Sequence, residues 1–342
     1  MREIISPAVW EASQYLGPER FTVRFDQEDL AEIDRAVIKV RELGLKLDDI
    51  ERENFDLPRL TPKLAAVLDE LRDGRGFVRL SGLDVSRYSK DELGMIYWGI
   101  GTYLGGGVSQ SAKGDRLGHV LDATGEENNP RAYRNKNELN PHTDFTELVG
   151  LMCLRSAKAG GESLLASALS IHNEMLRTFP EHLKILYRGF RYHRRGEQQP
   201  GAAPITPHRV PVFSECNGQI SCRFVRPYIE AAAVELGEPL TAKEVEALDV
   251  FQDLANSERL SLRYVMAPGE IVLFNNYTMI HARTPFVDYE AADRKRHLLR
   301  LWLIPPAFRD VVPEIELFDT RGGVARREDG EVQQYSWGVG GR

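Results

Sequence analysis

The sequence has few cysteines and no long apolar or basic runs. Its 342 residues include only three cysteines, Cys153, Cys216 and Cys222, and no CxxC pair. An odd, widely spaced set does not build a disulfide framework and favours a reducing compartment. We therefore expect a cytoplasmic protein.

Charge and hydropathy exclude two further classes of partner. The net charge is −7 with a pI near 5.7, and no basic patch interleaved with aromatic residues is visible, so we expect no nucleic-acid partner. No apolar stretch approaches membrane-spanning length, and the segment 1–7 lacks the apolar core of a signal peptide. We therefore expect no membrane partner, and homo-oligomerisation stays open.

Residue periodicity predicts helices at the start, then many short strands with loops between them, and one late helix capped by Thr241 and Glu244. This order is typical of an α+β, mostly β fold with a double-stranded β-helix (jelly-roll) core and flanking helices. We expect a single catalytic domain over 1–342. Its predicted parts are a helical segment 1–75, a core 76–305 with flaps at about 108–141 and 191–211 and a helix at 241–257, and a tail 306–342 without an assigned role.

His142-Thr143-Asp144 is the stretch most indicative of chemistry. Residues two apart on an extended segment point the same way, so an imidazole and a carboxylate can bind one divalent metal. The pattern is common by chance, and His172-Asn173-Glu174 offers a rival pair. That rival lies in a predicted helix, where residues two apart do not share a face, and we interpret it as a solvated helix surface.

A distant histidine and two arginines extend the pattern. His281 follows the predicted strand 271–274 and is placed where that strand gives way to a turn; the alternative is a buried histidine with a backbone partner. Arg296 and Arg300 are four apart on a predicted strand and share a face. Two buried guanidinium groups need anions, which are either a carboxylate ligand or an internal ion pair.

With these residues the chain resembles the taurine dioxygenase and 2,4-dichlorophenoxyacetate dioxygenase family, which has a clavaminate-synthase-like jelly roll. The family pattern is His-x-Asp, a Gly-Gly-x-Thr/Ser turn, a distal histidine and Arg-x-x-x-Arg. Its elements here are His142-Thr143-Asp144, Gly160-Gly161-Glu162-Ser163, His281 and Arg296-His297-Leu298-Leu299-Arg300. An early strand within 76–83 also matches, so the resemblance covers roughly 60–305.

The resemblance implies an Fe(II)- and 2-oxoglutarate-dependent dioxygenase with O2 as the other cosubstrate. It implies that His142, Asp144 and His281 hold iron, and that Arg296 and Ser163 bind the far carboxylate of 2-oxoglutarate. Arg300 is expected to face the substrate or the other carboxylate. Because Asp144 supplies a carboxylate that related halogenases lack, we expect hydroxylation or another two-electron oxidation.

The substrate is the least determined feature. The loop before His142 is expected to border the site, where Glu138 and Asn140 could bind an amine and Arg134 or Arg300 a carboxylate or sulfonate. A small acidic or amino-acid-like molecule is the preferred substrate, and a natural-product intermediate is the alternative. Two other functions remain, a zinc hydrolase on the same ligands and an inactive binding relative.

Overall fold

The computed structural model describes residues 1–123, 134–318 and 320–328. Helices and strands both contribute substantially to these residues, so the fold is mixed α+β more than mostly β. The α-helices are α1 Gln27–Glu42, α2 Leu60–Arg72, α3 Lys90–Thr102, α4 Ala168–Thr178, α5 Pro180–Arg188, α6 Arg226–Leu236 and α7 Ala242–Asn256.

The strands are short, and most follow one another through loops. In chain order they are β1 Thr22–Arg24, β2 Phe77–Ser81, β3 Gly106–Gly107, β4 Leu117–Val120, β5 Leu139–His142, β6 Leu148–Arg155, β7 Ala159–Gly160, β8 Ser163–Ser167, β9 Phe213–Cys216, β10 Gln219–Cys222, β11 Ser261–Tyr264, β12 Ile271–Asn275, β13 Met279–Arg283, β14 Phe286–Val287 and β15 His297–Ile304.

Two sheets form the jelly roll. The larger has the order β1-β2-β12-β6-β15-β3, with β4 also paired to β15, and the smaller has the order β11-β8-β13-β5. Apart from the parallel pair β1–β2, these pairings are antiparallel. Consecutive neighbours within a sheet are distant in the chain, as Greek-key connections require.

Strand alternation divides the interior into two cores. On β15, Leu298 and Trp302 point between the two sheets, where they join apolar residues of the smaller sheet such as Leu165. Leu299 and Leu301 point the other way and pack with the N-terminal helices. The larger sheet is therefore covered on both faces, and only its inter-sheet face can contribute to an interior site.

The first predicted flap contains regular structure. The segment 108–141 was expected to be a flap, but β4 and β5 lie within it, while residues 124–133 fall outside the described part. Pro141 lies in β5, and an edge strand tolerates proline because one side of it needs no ladder donor. The hydrophobic periodicity did not predict these strands, because the segment is polar and β5 contains a proline.

The second predicted flap is packed against the body of the protein. Much of the segment 191–211, including residues 192–198, is buried, and Glu197 accepts a hydrogen bond from the backbone N–H of Ala112 at 2.5 Å. The late helix was predicted at 241–257 and is observed as α7, with the expected Thr241–Glu244 capping box. Helix α6 was missed, although Pro227 in its first turn and left-handed Gly237 after its end are helix signals.

Within the described ranges, every helix is too short or too polar to cross a membrane.

Candidate active site

His142, Asp144 and His281 converge between the two sheets. His142 ends β5, Asp144 follows two residues later, and His281 lies in the middle of β13, directly opposite His142 in the strand register. The imidazole rings are 4.1 Å apart, and one ligand atom from each of the three residues lies within 4.8 Å of the others. The expectation that His281 occupies a turn was wrong. A paired strand holds it, which fixes its backbone more firmly.

Hydrogen bonds orient the proposed ligands from behind. The Asn140 carbonyl and His142 Nδ1 are 2.8 Å apart, which leaves Nε2 of His142 for a metal. Asn276 accepts from the backbone N–H of Asp144 at 2.9 Å and donates to the carbonyls of Asp144 and Thr146, each at 2.7 Å. The turn that carries Asp144 is therefore held by the buried Asn276 amide, and the Arg223 guanidinium also donates to the Asp144 carbonyl.

The protonation states suit a cation. Burial alone raises the pKa of Asp144, but Arg300 and the two histidines outweigh it and the net shift is downward. Burial, then the neighbouring His142, lowers the pKa of His281 to about 3. Burial likewise lowers the pKa of His142. Two neutral imidazoles and one carboxylate are the forms that bind a divalent metal.

Arg300 and Trp302 contact the Asp144 carboxylate. Nη1 of Arg300 lies 3.2 and 3.3 Å from the two carboxylate oxygens, and the indole N–H of Trp302 donates to Oδ2 at 2.9 Å. Gln110 accepts from Nε of Arg300 at 2.7 Å and fixes the guanidinium plane. Arg300 was expected to face a substrate or a 2-oxoglutarate carboxylate; in this structure it contacts the candidate ligand itself.

Arg296 lies one residue before β15, on the same face as Arg300. It is 4% exposed, and its Nη1 is buried without a hydrogen-bond partner. The guanidinium carbon lies 5.1 Å from the centre of the Phe286 ring. A Cβ at Gly161 would come within 3.3 Å of the Arg296 Nε, so the predicted Gly-Gly turn leaves room for this side chain. A buried guanidinium with an unsatisfied donor is suited to an anionic ligand.

The remaining predicted residues are placed differently. Ser163 begins β8, is buried and pairs in register with Arg283 on β13. Arg134 is half-buried and donates to the His119 carbonyl at 3.3 Å. Glu138 and Asn140 are exposed, and the contact of Asn140 with the site is made by its backbone carbonyl.

Sequence reasoning missed several residues that the described part of the chain places around the site, among them Arg283, Trp302, Asn276 and Gln110. Arg283 and Trp302 could have been found, because each lies two residues beyond a recognised site residue on a strand and so shares its face. Asn276 and Gln110 have no comparable signal, since they reach the site from a turn and a loop distant in sequence. Their roles depend on tertiary contacts alone.

Aromatic residues cluster around Phe145, the residue after Asp144. The ring of Phe145 lies 5.2 Å from Tyr228, 6.3 Å from Trp302 and 5.5 Å from Phe318. Gly323, in the segment that was predicted as a tail without a role, donates its backbone N–H to the Phe145 carbonyl at 2.5 Å. The described part of this tail therefore packs beside the candidate metal centre.

The rival pair is not a metal site, but its interpretation as a solvated surface was wrong. His172 is fully buried, and its Nε2 lies 2.9 Å from the Tyr187 hydroxyl. Glu174 forms ion pairs with Arg177 and Arg259. The helical geometry was predicted correctly, and packing against α5 buries the histidine.

His297 points away from Arg296, as strand alternation predicts, and pairs with another histidine. Its Nε2 lies 2.9 Å from His119 Nδ1, and Arg155 Nη2 lies 3.4 Å from its Nδ1. Burial lowers the pKa of His297 to about 4, followed by the nearby His119 and Arg155. The folded state therefore favours the neutral ring.

This pair predicts a loss of stability in mild acid. Above pH 6.5 His297 is neutral in both states, and as the pH falls toward 4 the unfolded chain binds the proton first. The free energy of unfolding should then fall, by at most about 3 kcal/mol. Urea unfolding between pH 7.5 and pH 5 should show a smaller loss for His297→Gln than for the parent. Parallel profiles would contradict the assignment.

Comparison with known proteins places this geometry in a family. The family model described as "Taurine catabolism dioxygenase TauD, TfdA family" matches residues 39–302. The chain is 32% identical over 308 residues to FR-33289 synthase of Streptomyces rubellomurinus, covering 88% of this chain and 90% of that protein. It is 31% identical over 320 residues to taurine hydroxylase-like protein SAT17 of Stachybotrys chartarum, covering 87% and 80%.

A solved structure supports the fold independently. The structure of asparagine oxygenase in complex with Fe(II), 2S,3S-3-hydroxyasparagine and succinate superposes with a TM-score of 0.66 at 17% sequence identity, covering 88% of this chain and 100% of that one. The predicted jelly-roll fold is thereby confirmed. The family match confirms the predicted enzyme class, with Fe(II) and 2-oxoglutarate. The chain belongs to the taurine catabolism dioxygenase TauD, TfdA family of Fe(II)- and 2-oxoglutarate-dependent dioxygenases.

Proposed function

We propose that this protein hydroxylates, or otherwise oxidises by two electrons, an unactivated C–H bond of a small acidic or amino-acid-like molecule while 2-oxoglutarate is decarboxylated to succinate. Family membership supports the reaction class, and the substrate class is the proposal. The observation that supports the oxidation chemistry is the cluster of His142, Asp144 and His281, whose ligand atoms lie within 4.8 Å of one another. The buried arginines beside this cluster support an anionic substrate.

The donor set fits Fe(II). Two neutral imidazoles and one carboxylate on one side of a metal leave positions open for 2-oxoglutarate and O2, as in non-haem iron oxygenases. Nε2 of His281 lies 3.8 Å from Oδ2 of Asp144, so the ring directs this nitrogen toward the other two proposed ligands. When bound there, Fe(II) supplies the oxidising chemistry, while the protein orients the reactants and excludes water.

Arg296 is assigned to the far carboxylate of 2-oxoglutarate. Its guanidinium lies inside the barrel with an unsatisfied donor, and a planar fork can grip a carboxylate through two parallel hydrogen bonds. Ser163 is the buried first residue of β8, in the smaller sheet. Its hydroxyl is proposed to donate a further hydrogen bond to the same carboxylate of 2-oxoglutarate. These two assignments come from the motif and are supported by burial.

Arg300 and the aromatic wall support an acidic substrate. Arg300 is buried beside Asp144, and the Trp302 indole, which donates to the same carboxylate, packs edge-on against the Phe145 ring. The guanidinium carbon of buried Arg223 also lies 5.8 Å from the centre of the Phe145 ring, and an aromatic wall with buried arginines suits a small molecule that carries a carboxylate or similar anion. The exposed Glu138 and Asn140 and the half-buried Arg134 are proposed to lie at the rim, where they could contact polar groups of the substrate.

Asp144 favours hydroxylation over halogenation. It fills the ligand position that halogenases leave to chloride, and Trp302 and Arg300 fix both of its oxygens. The geometry leaves hydroxylation, desaturation, cyclisation and demethylation as the two-electron outcomes. Which of these four reactions occurs depends more on the bound substrate than on the metal ligands.

The reaction class has a direct test. Anaerobic addition of Fe(II) and 2-oxoglutarate should produce a visible charge-transfer band, and aerobic incubation with ascorbate should release succinate slowly without substrate. A screen of small carboxylic and amino acids should then identify compounds that stimulate succinate formation. Tightly bound zinc with no band would support the hydrolase alternative and overturn the oxygenase assignment.

A further inference from the structure

Arg283 faces the same interior as the proposed 2-oxoglutarate site. It lies two residues after His281 on β13 and pairs in register with Ser163, so its side chain shares the inner face with both. It is 5% exposed. Burial lowers its pKa to about 10, and repulsion from Arg296 contributes in the same direction.

Arg283 and Arg296 contact one ring. Their guanidinium carbons lie 4.9 and 5.1 Å from the centre of Phe286. Each has a buried nitrogen without a hydrogen-bond partner, Nε in Arg283 and Nη1 in Arg296. The two buried positive charges repel each other, which contributes to the lowered pKa of Arg283, and an anion placed near both would relieve the repulsion.

Arg283 also holds the loop that leads into β5. Its Nη2 donates to the carbonyls of Asn135 at 2.9 Å and Asn137 at 2.5 Å. The backbone N–H of Phe286 donates to the intervening carbonyl of Lys136 at 3.1 Å. Three successive carbonyls of this loop are thus fixed by residues 283–286, only a few residues before His142.

We infer that Arg283 is a positioning residue that couples occupancy of the 2-oxoglutarate pocket to the order of the loop 135–138, which leads into β5 beside the metal centre. A bound dicarboxylate is attracted by Arg283 as well as Arg296 and offsets their mutual repulsion. Arg283 then holds the loop carbonyls more firmly, and by reciprocity a well-ordered loop strengthens dicarboxylate binding. This inference rests on the proposed function and adds a second cation and a link to the substrate rim.

Two variants separate the charge of Arg283, which attracts the dicarboxylate, from its hydrogen bonds to the loop carbonyls. Arg283→Met removes the charge and the donors, so the Kd for 2-oxoglutarate should rise on the order of tenfold while kcat at saturation changes much less. Arg283→Lys keeps the charge but has no planar fork to hold both carbonyls. Its Kd should rise only a few-fold. Titration of the charge-transfer band under anaerobic conditions gives both Kd values.

Hydrogen exchange reports the loop directly. In the parent protein with Fe(II), 2-oxoglutarate should slow amide exchange across 135–142, and both variants should lose that ligand-dependent slowing. Arg263→Met is the matched control, because Arg263 is an exposed arginine of the same sheet that donates to a single backbone carbonyl, that of Asn256 at the end of α7. It should behave as the parent in Kd and in exchange.

The outcomes distinguish this inference from the proposed function. If the parent binds no 2-oxoglutarate, the proposed function itself fails. If the parent binds it and Arg283→Met binds equally well, or keeps the ligand-dependent slowing of exchange, Arg283 is a structural residue only and the coupling is overturned. A lower Tm for Arg283→Met with an unchanged Kd would lead to the same conclusion.

Discussion

Replacing Asp144 with alanine should reduce 2-oxoglutarate turnover by about a thousandfold or more. Asp144 is the only carboxylate of the candidate metal cluster within the described residues, and its loss leaves two imidazoles as ligands. It would also remove the anion beside the buried Arg300, which then repels a cation at the site. Fe(II) binding by metal analysis and succinate release measure the two consequences separately.

Asp144→Asn tests the same carboxylate with less disturbance. The amide oxygen can still accept from the Trp302 indole, so the variant should stay folded while it loses most metal affinity. Glu174→Gln is the matched control, since Glu174 belongs to the other His-x-carboxylate pair and forms ion pairs on a helix surface. It should retain metal and turnover. Full activity of Asp144→Asn would show that iron is held elsewhere.

Replacing Arg296 with alanine should raise the Kd for 2-oxoglutarate by between roughly thirtyfold and a few thousandfold. Truncating one partner of a buried, hydrogen-bonded charge pair costs about 2–5 kcal/mol, and each 1.4 kcal/mol is tenfold in affinity. The buried Nη1 of Arg296 has no hydrogen-bond partner in the protein and is available to an anionic ligand. The shift of the melting temperature by 2-oxoglutarate, which the parent should show, should disappear in this variant.

Arg300→Ala should give a different pattern. Arg300 contacts the candidate ligand Asp144, so its loss should impair metal loading and turnover more than 2-oxoglutarate affinity. Arg296→Lys should fall between the parent and Arg296→Ala, because it keeps a charge without the fork. If Arg300→Ala raised the Kd for 2-oxoglutarate more than Arg296→Ala, the two assignments would have to be exchanged.

Much of the site was predictable because strands impose a period of two on side-chain direction. That period placed His142 beside Asp144, set Arg296 and Arg300 on one face, and sent His297 to the other. Helix geometry likewise excluded the rival His172 and Glu174. The order of motifs along the chain then identified the family, and the capping box at Thr241 identified α7.

Other features were not predictable from periodicity. The strand β5 contains a proline and few apolar residues, and it pairs only because β13 offers a free edge to it. The burial of His172 depends on α5 packing over α4. The placement of the C-terminal segment depends on contacts with residues far away in the chain, such as the backbone hydrogen bond from Gly323 to Phe145 and the ion pair of Arg321 with Glu147. Each of these results from partners distant in the chain, which a local pattern does not contain.

The sequence by itself determined the family, the class of chemistry and the identity of the candidate metal ligands, because these depend on residue type and on spacing within strands. Only the tertiary structure decided that Arg300 contacts Asp144, that Asn276 holds the turn behind it, and that Arg283 links the interior to the loop before His142. Those relations join segments more than 100 residues apart. Close approach in the folded chain creates them, and the desolvation of the charges involved gives them their energetic weight.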